Sequence, residues 1–190
     1  MADPAEKRAT YQDVLDAPRH VVAEVIRGVL HTHPRPAVRH AKVSTGLGGR
    51  LAGFDADGPE GPGGWWILDE PELHLGDDIV VPDLAGWRTE TLAELPDAAY
   101  IERPPDWLAE VLSPSTEHID RADKVPIYAR EAVAWVWLLD PVVRTLEVFR
   151  LDGGSYRVHA VWRDDAVVRA DPFAAIELPL AALWGRRPEE

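Results

Sequence analysis

The sequence predicts an α/β (α+β) domain: a mixed central β-sheet flanked by helices and carrying β-hairpins. Three observations predict it. Apolar residues recur at helical spacing after Ala37, and the period then changes to two after Gly64. A second helical stretch after Thr116 leads into Ala134 to Leu139, a nearly continuous apolar run of the kind found in strands buried on both faces. Two glycines after Asp152 separate two strand-like segments, as a hairpin turn does. The order helix, strands, helix, strands fits a sheet with helices packed on it.

Each element follows in turn. Thr10, with Asp13 three residues on, caps a short helix from Tyr11 to Asp16. The β-branched run from His20 to His31 reads as a small hairpin turning near Arg27-Gly28, and Pro34 and Pro36 interrupt its second strand. Val38, Ala41, Leu47, Leu51 and Phe54 then mark a helix of three or four turns, weakened towards its end by Gly46, Gly48 and Gly49. The stretch from Asp55 to Gly64 is a glycine- and proline-rich surface loop. Trp65 to Leu68, Glu72 to Leu75, Asp78 to Pro82 and Trp107 to Leu112 are expected as strands, with one helical turn at Thr89 to Leu95 and a turn at Asp77-Asp78. Thr116 to Ala132 is helical, with Thr116 as cap. Arg144 to Leu151 and Ser155 to Arg163 form a hairpin, and Phe173 to Trp184 packs back onto the core. This gives one domain over residues 10–185, with flexible tails at 1–9 and 186–190.

A chain of 190 residues with 46% hydrophobic content can bury a core. No apolar run reaches the roughly 18 residues of a spanning helix, and Met1 to Thr10 lacks the apolar stretch of a secretory signal, so the expectation is a cytoplasmic protein with no membrane association. The absence of cysteine excludes disulfides, thiol catalysis and zinc–thiolate sites. Any metal must take oxygen or imidazole ligands, which points to magnesium, manganese or calcium. A net charge of −13 opposes tight, non-specific DNA binding unless the bases gather on one face.

The chemistry centres on Asp83 and Glu110. Pro82-Asp83 is read as the end of one strand, and Glu110 interrupts the otherwise apolar Trp107-Leu-Ala-Glu-Val-Leu of another. Converging strand carboxylates can hold a hard cation, which lowers the pKa of a bound water and polarises a phosphoryl oxygen. A salt bridge buried in the sheet is the plain alternative, because a carboxylate in a buried strand needs a partner.

Four segments occur in order: Val80-Val-Pro-Asp-Leu, Trp107-Leu-Ala-Glu-Val-Leu-Ser-Pro-Ser-Thr, Asp120-Arg-Ala-Asp-Lys-Val-Pro-Ile-Tyr and Trp137-Leu-Leu-Asp-Pro. Together they resemble the Uma-two family of restriction endonucleases, a branch of the PD-(D/E)XK nuclease-like fold, over roughly residues 10 to 185. The resemblance implies a restriction-endonuclease-like sheet, a magnesium or manganese ion on Asp83 and Glu110, and DNA as substrate. It also implies a catalytic role for Lys124, with Glu24 completing the acidic cluster. In the wider fold a lysine stands two residues after the glutamate, where this chain has Leu112; the matching lysine of this family falls on Lys124 in the following helix. The alternative for Lys124 is an ion pair with Asp120 one helical turn earlier. Relatives tend to carry Glu and Tyr where this chain has Trp135 and Val136.

His31, His33 and His40 read as surface residues, with His40 the best placed of the three to face the site. Ser113 and Ser115 read as turn and cap residues, lacking the partners of a nucleophile. Gly46-Leu-Gly-Gly lacks the context of a phosphate loop. Trp107 and Trp137 read as core, and Trp65-Trp66 as a contact surface. The leading expectation is a divalent-metal-dependent endonuclease, possible as a homodimer. The alternatives are a nuclease-like binding or assembly module that no longer cuts, and a small-molecule hydrolase on the same fold.

Overall fold

The computed structural model describes residues 8–34, 36–58 and 61–185. Of the expected tails, residues 1–7 and 186–190 lie outside the described residues. Ala9 donates its backbone N–H to Gly28 O at 2.8 Å. Helix α1 is Tyr11–Leu15, and Thr10 donates both its backbone N–H and its hydroxyl to Asp13 Oδ2 at 2.7 Å. Strands β1 (Val21–Ile26) and β2 (Val29–Pro34) form the expected hairpin. Its turn sets Arg27 at φ 53° and Gly28 at φ 80°, the left-handed pair that matches strand twist.

Helix α2 runs from Val38 to Leu51, straight through the three glycines expected to weaken it. Val43, Leu47 and Leu51 are buried beneath it, and that burial outweighs a propensity cost of about 1 kcal/mol per glycine. Then come β3 (Trp65–Asp69), β4 (Leu73–Leu75), β5 (Asp78–Val80), β6 (Leu84–Arg88) and β7 (Trp107–Val111).

Strand β6 was not expected, and it corrects the reading of Asp83. The strand from Asp78 stops at Val80, and Asp83 instead leads directly into β6. Leu84 to Trp87 are buried, so no polar alternation marks the strand, and Gly86 imitates a breaker. A side chain at Gly86 would put its Cβ 3.1 Å from Trp107 Cε3 and 3.3 Å from Trp65 Cε3. Thr89 to Leu95 holds a turn closed by Leu92 N on Arg88 O at 2.9 Å rather than a helix. Asp78 is a buried strand residue, bonded by the Arg27 backbone N–H and by Arg130.

The second helical stretch is interrupted: α3 (Glu117–Ile119), a π-helical turn (Asp120–Lys124), then α4 (Val125–Arg130). Strands β8 (Trp135–Asp140), β9 (Thr145–Asp152), β10 (Ser155–Arg163), β11 (Val167–Val168) and β12 (Leu178–Pro179) complete the fold. The main sheet is ordered β10-β9-β8-β7-β6-β3, and a second sheet β2-β1-β5-β4. Within the main sheet only β7 and β8 are parallel. The α3–α4 stretch makes the crossover that such a pair requires.

Two cores lie on the two faces of the main sheet. The α2 side buries Val43, Leu47, Trp107, Ala109, Val111 and Trp137, and receives Phe173, Leu178, Leu180 and Leu183 from the returning C-terminal segment. The α4 side buries Ala85, Trp87, Leu108, Leu112, Ile127 and Tyr128. Trp65 is 4% exposed and packs on Phe173, so it is core and not a contact surface.

Candidate active site

The pairs Leu84↔Ala109 and Ala85↔Leu108 fix the antiparallel register of β6 on β7. One pair further on, Asp83 stands opposite Glu110. Side chains alternate along a strand, so Asp83 shares a face with Ala85 and Trp87, and Glu110 with Leu108 and Leu112. All four of those apolar residues belong to the α4-side core. The two carboxylates therefore leave the same face of the sheet, and both line one cavity of about 310 Å³.

Each Asp83 oxygen has a donor. The Val111 backbone N–H reaches Oδ2 at 2.7 Å, and His40 Nε2 of α2 lies 3.2 Å from Oδ1. On the other side of the cavity, Asp120, Lys124 and Tyr128 are spaced four apart and form one stripe along the helical stretch. Lys124 Nζ sits 2.8 Å from Glu110 Oε1, 3.1 Å from Glu24 Oε1 and 3.5 Å from Asp120 Oδ1. Tyr128 donates its hydroxyl to Glu110 Oε1. A π-helical turn at this position is the kind of local irregularity that recurs at functional sites.

Glu24 enters from β1 of the second sheet. The Val81 backbone N–H donates to its Oε1 at 2.7 Å, and His33 Nε2 is 3.5 Å from Oε2. Glu24, Glu110, Asp120 and Lys124 are all less than 10% exposed. Isolated, such groups would be costly in a core; collected around one ammonium, they share its charge.

The electrostatics follow from that arrangement. Burial pushes the Glu24 carboxyl up, but the Lys124 charge and the bonds from His33, Val81 and Lys124 win and hold it at about 2. Burial, together with the nearby charges of Asp120, Asp83 and Glu24, raises Glu110 well above the usual carboxylate range against the pull of Lys124. Asp120 is raised for similar reasons. Burial alone would lower Lys124, yet Glu110, Glu24, Tyr128 and Asp120 drive it well above its ordinary value, so its ammonium is firmly charged. His40 is raised by Asp83, with Asp120 and Glu70 adding, although burial opposes the shift.

The cavity thus brings together all four residues singled out from the sequence: Glu24, Asp83, Glu110 and Lys124. Leu112 is buried in the α4-side core, and Lys124 is the cation beside Glu110. The sequence reading gave Asp120 only the part of an ion-pair partner and passed over Tyr128; the four-residue spacing through Lys124 was the signal for both. His40, the histidine best placed to face the site, lines the cavity, and so does His33, read as a surface residue; His31 stacks on His33 at 6.4 Å outside it. Trp135 is absent from the lining; its ring meets His159 and the Arg150 guanidinium instead.

Among the described residues no group of three or more His, Asp or Glu forms a preassembled metal cluster. Magnesium does not need one, since it is commonly held by one or two carboxylates and keeps several waters. Asp83 and Glu110, oxygen donors on one face and open to one cavity, fit a hard cation of that kind.

The fold is that of a solved structure described as "a putative nuclease belonging to DUF820" from Anabaena variabilis ATCC 29413. The two are 21% identical, with a TM-score of 0.73 over 93% of this chain and 97% of that one. No curated protein matches the chain significantly. The model of the Uma2 family, whose description is "Putative restriction endonuclease", matches residues 9–181. The chain belongs to that family. Among the described residues, no helix is long and apolar enough to cross a membrane.

Proposed function

We propose that this protein is a divalent-metal-dependent endonuclease that hydrolyses DNA phosphodiester bonds. The observation that carries the reading is the shared face of Asp83 and Glu110, on paired strands and open to one cavity with a buried lysine. Family membership supports a nuclease activity, and the oxygen donor set supports magnesium or manganese.

Asp83 and Glu110 would hold the ion. When bound, the ion activates water and polarises the scissile phosphate. The protein's own side chains supply the rest. His40 and the Val111 N–H hold the Asp83 carboxylate in place, and Tyr128 does the same for Glu110. The Lys124 ammonium, its donors turned to Glu110, Glu24 and Asp120, offsets the crowded carboxylates and sets a positive charge at the cavity wall. Glu24, ionised above about pH 2, orients Lys124.

The test is cleavage of supercoiled plasmid and of single-stranded DNA with magnesium or manganese. Wild type is compared with Asp83→Ala, Glu110→Ala and Lys124→Ala, with circular dichroism to check folding. Wild type cuts and the folded variants lose at least about a hundredfold in rate, the scale of losing a positioned charge-stabilising group. Equal rates in all four proteins reject the assignment.

A further inference from the structure

The chain's charge is not evenly spread. Residues 17–54 contain six of the 20 Lys and Arg and four of the seven His, but only one of the 33 acidic residues, the buried Glu24. Their net charge is +5, against −18 for the rest of the chain. This segment folds into β1, β2 and α2, and it forms one wall of the cavity through Val22, His33, Pro34, Pro36, Ala37 and His40. The lining also carries Glu24 from this segment, and Glu70, Asp83, Glu110, Asp120 and Lys124 from the rest of the chain.

The open end of the β1–β2 hairpin, where Val21 pairs with Pro34, is where that wall begins. Arg19 and His20 stand exposed just before it, and Arg39 stands exposed between the lining residues Ala37 and His40. Among the described residues neither arginine is paired with a carboxylate, in contrast to Arg27, which is held by Asp123 at 3.1 Å. Two arginines with no carboxylate partner thus stand beside the acidic cavity of an acidic chain.

We propose that this rim is a docking surface for the phosphate backbone of DNA, seating a strand beside Asp83 and Glu110. The proposal rests on the endonuclease reading for its choice of partner. Its physical content is separate: affinity comes from counterion release at a few arginines, so the net charge of −13 ceases to oppose binding. The His20 and His33 imidazoles extend the same edge.

Fluorescence anisotropy of a short labelled duplex, read over a salt series in calcium and in EDTA, tests it. The double variant Arg19→Ala, Arg39→Ala is compared with Arg157→Ala, Arg163→Ala, which removes the same charge from β10. The rim variant binds about tenfold more weakly at low salt, and the slope of log K against log salt falls by about 1.8, two phosphate contacts at about 0.9 each. The β10 variant keeps the wild-type slope. Equal losses in the two variants, an unchanged slope in the rim variant, or no duplex binding by wild type in either buffer overturns the proposal. Binding that depends on the rim without any cleavage sinks the endonuclease reading and leaves the docking surface standing. Cleavage with binding indifferent to the rim does the reverse.

Discussion

Lys124 Nζ lies 2.8 Å from Glu110 Oε1 and is the one cation shared by Glu110, Glu24 and Asp120. All four side chains are withdrawn from solvent. In Lys124→Met the three carboxylates lose that charge, and breaking a buried ion network costs about 3–5 kcal/mol. Urea denaturation of metal-free protein measures the loss. Manganese then stabilises the variant more than it stabilises wild type, because the added ion replaces a missing charge. Equal thermal shifts on adding manganese to both proteins would contradict a shared site.

His40 is the lever on Asp83. Its Nε2 lies 3.2 Å from Oδ1, while its Nδ1 is buried without a hydrogen-bond partner, so the ring's polar contact is spent on the carboxylate. Removing such an orienting partner costs about 10–100-fold in metal affinity. Calorimetry with manganese therefore finds His40→Ala weakened by that factor and His40→Gln, which retains a donor, partly restored. If Asp83→Ala abolishes binding and His40→Ala leaves it unchanged, the positioning role is refuted.

Much of this site was legible in the sequence, and its limits have physical causes. Glu110 stood out as a charge in an apolar strand, whereas Lys124 came from the family resemblance, its one-turn spacing from Asp120 arguing for a plain ion pair. Asp83 was found as a residue but attached to the wrong strand. Its true place depends on β6, and β6 is hidden because both its faces are buried and Gly86 imitates a turn. Without β6 the register that sets Asp83 opposite Glu110 cannot be written down. His40 was placed towards the site, but its contact with Asp83 needed the docking of α2 on the sheet, a tertiary relation that helical periodicity does not encode. Tyr128 entered the sequence reading only as the end of a motif, and its bond to Glu110 is what gives it a part in the site.

Glu24 ties stability to pH. Its carboxyl is held at about 2 in the folded chain, below the roughly 4.3 of an unfolded glutamate. A depressed folded value means the contribution is complete above the unfolded pKa and is lost as pH falls towards the folded one. At about 1.4 kcal/mol per pH unit, Glu24 contributes about 3 kcal/mol at pH 7, fading between about pH 4.5 and 2. Urea denaturation of wild type and Glu24→Gln therefore gives a gap near that size at pH 7 that shrinks steadily below pH 4.5. A gap that stays constant down to pH 2.5 would falsify the assignment.

Gly86 sets how closely β6 can lie beneath the tryptophans. A methyl group there would approach Trp107 Cε3 to 3.1 Å and Trp65 Cε3 to 3.3 Å, and those rings are 0% and 4% exposed. Neither can swing into solvent: Trp107 is wedged between Trp137 and Phe173, and Trp65 lies against Phe173. Gly86→Ala is therefore an overpacking change, destabilising by about 1–3 kcal/mol. The gain of up to about 1 kcal/mol that replacing glycine brings by restricting the unfolded chain is smaller, so the net sign is a loss. The strain falls three residues from Asp83, on the strand that aims it. Manganese affinity by calorimetry consequently drops along with stability, whereas a variant that is as stable as wild type shows that the rings can yield and that the strand spacing is not fixed by this glycine.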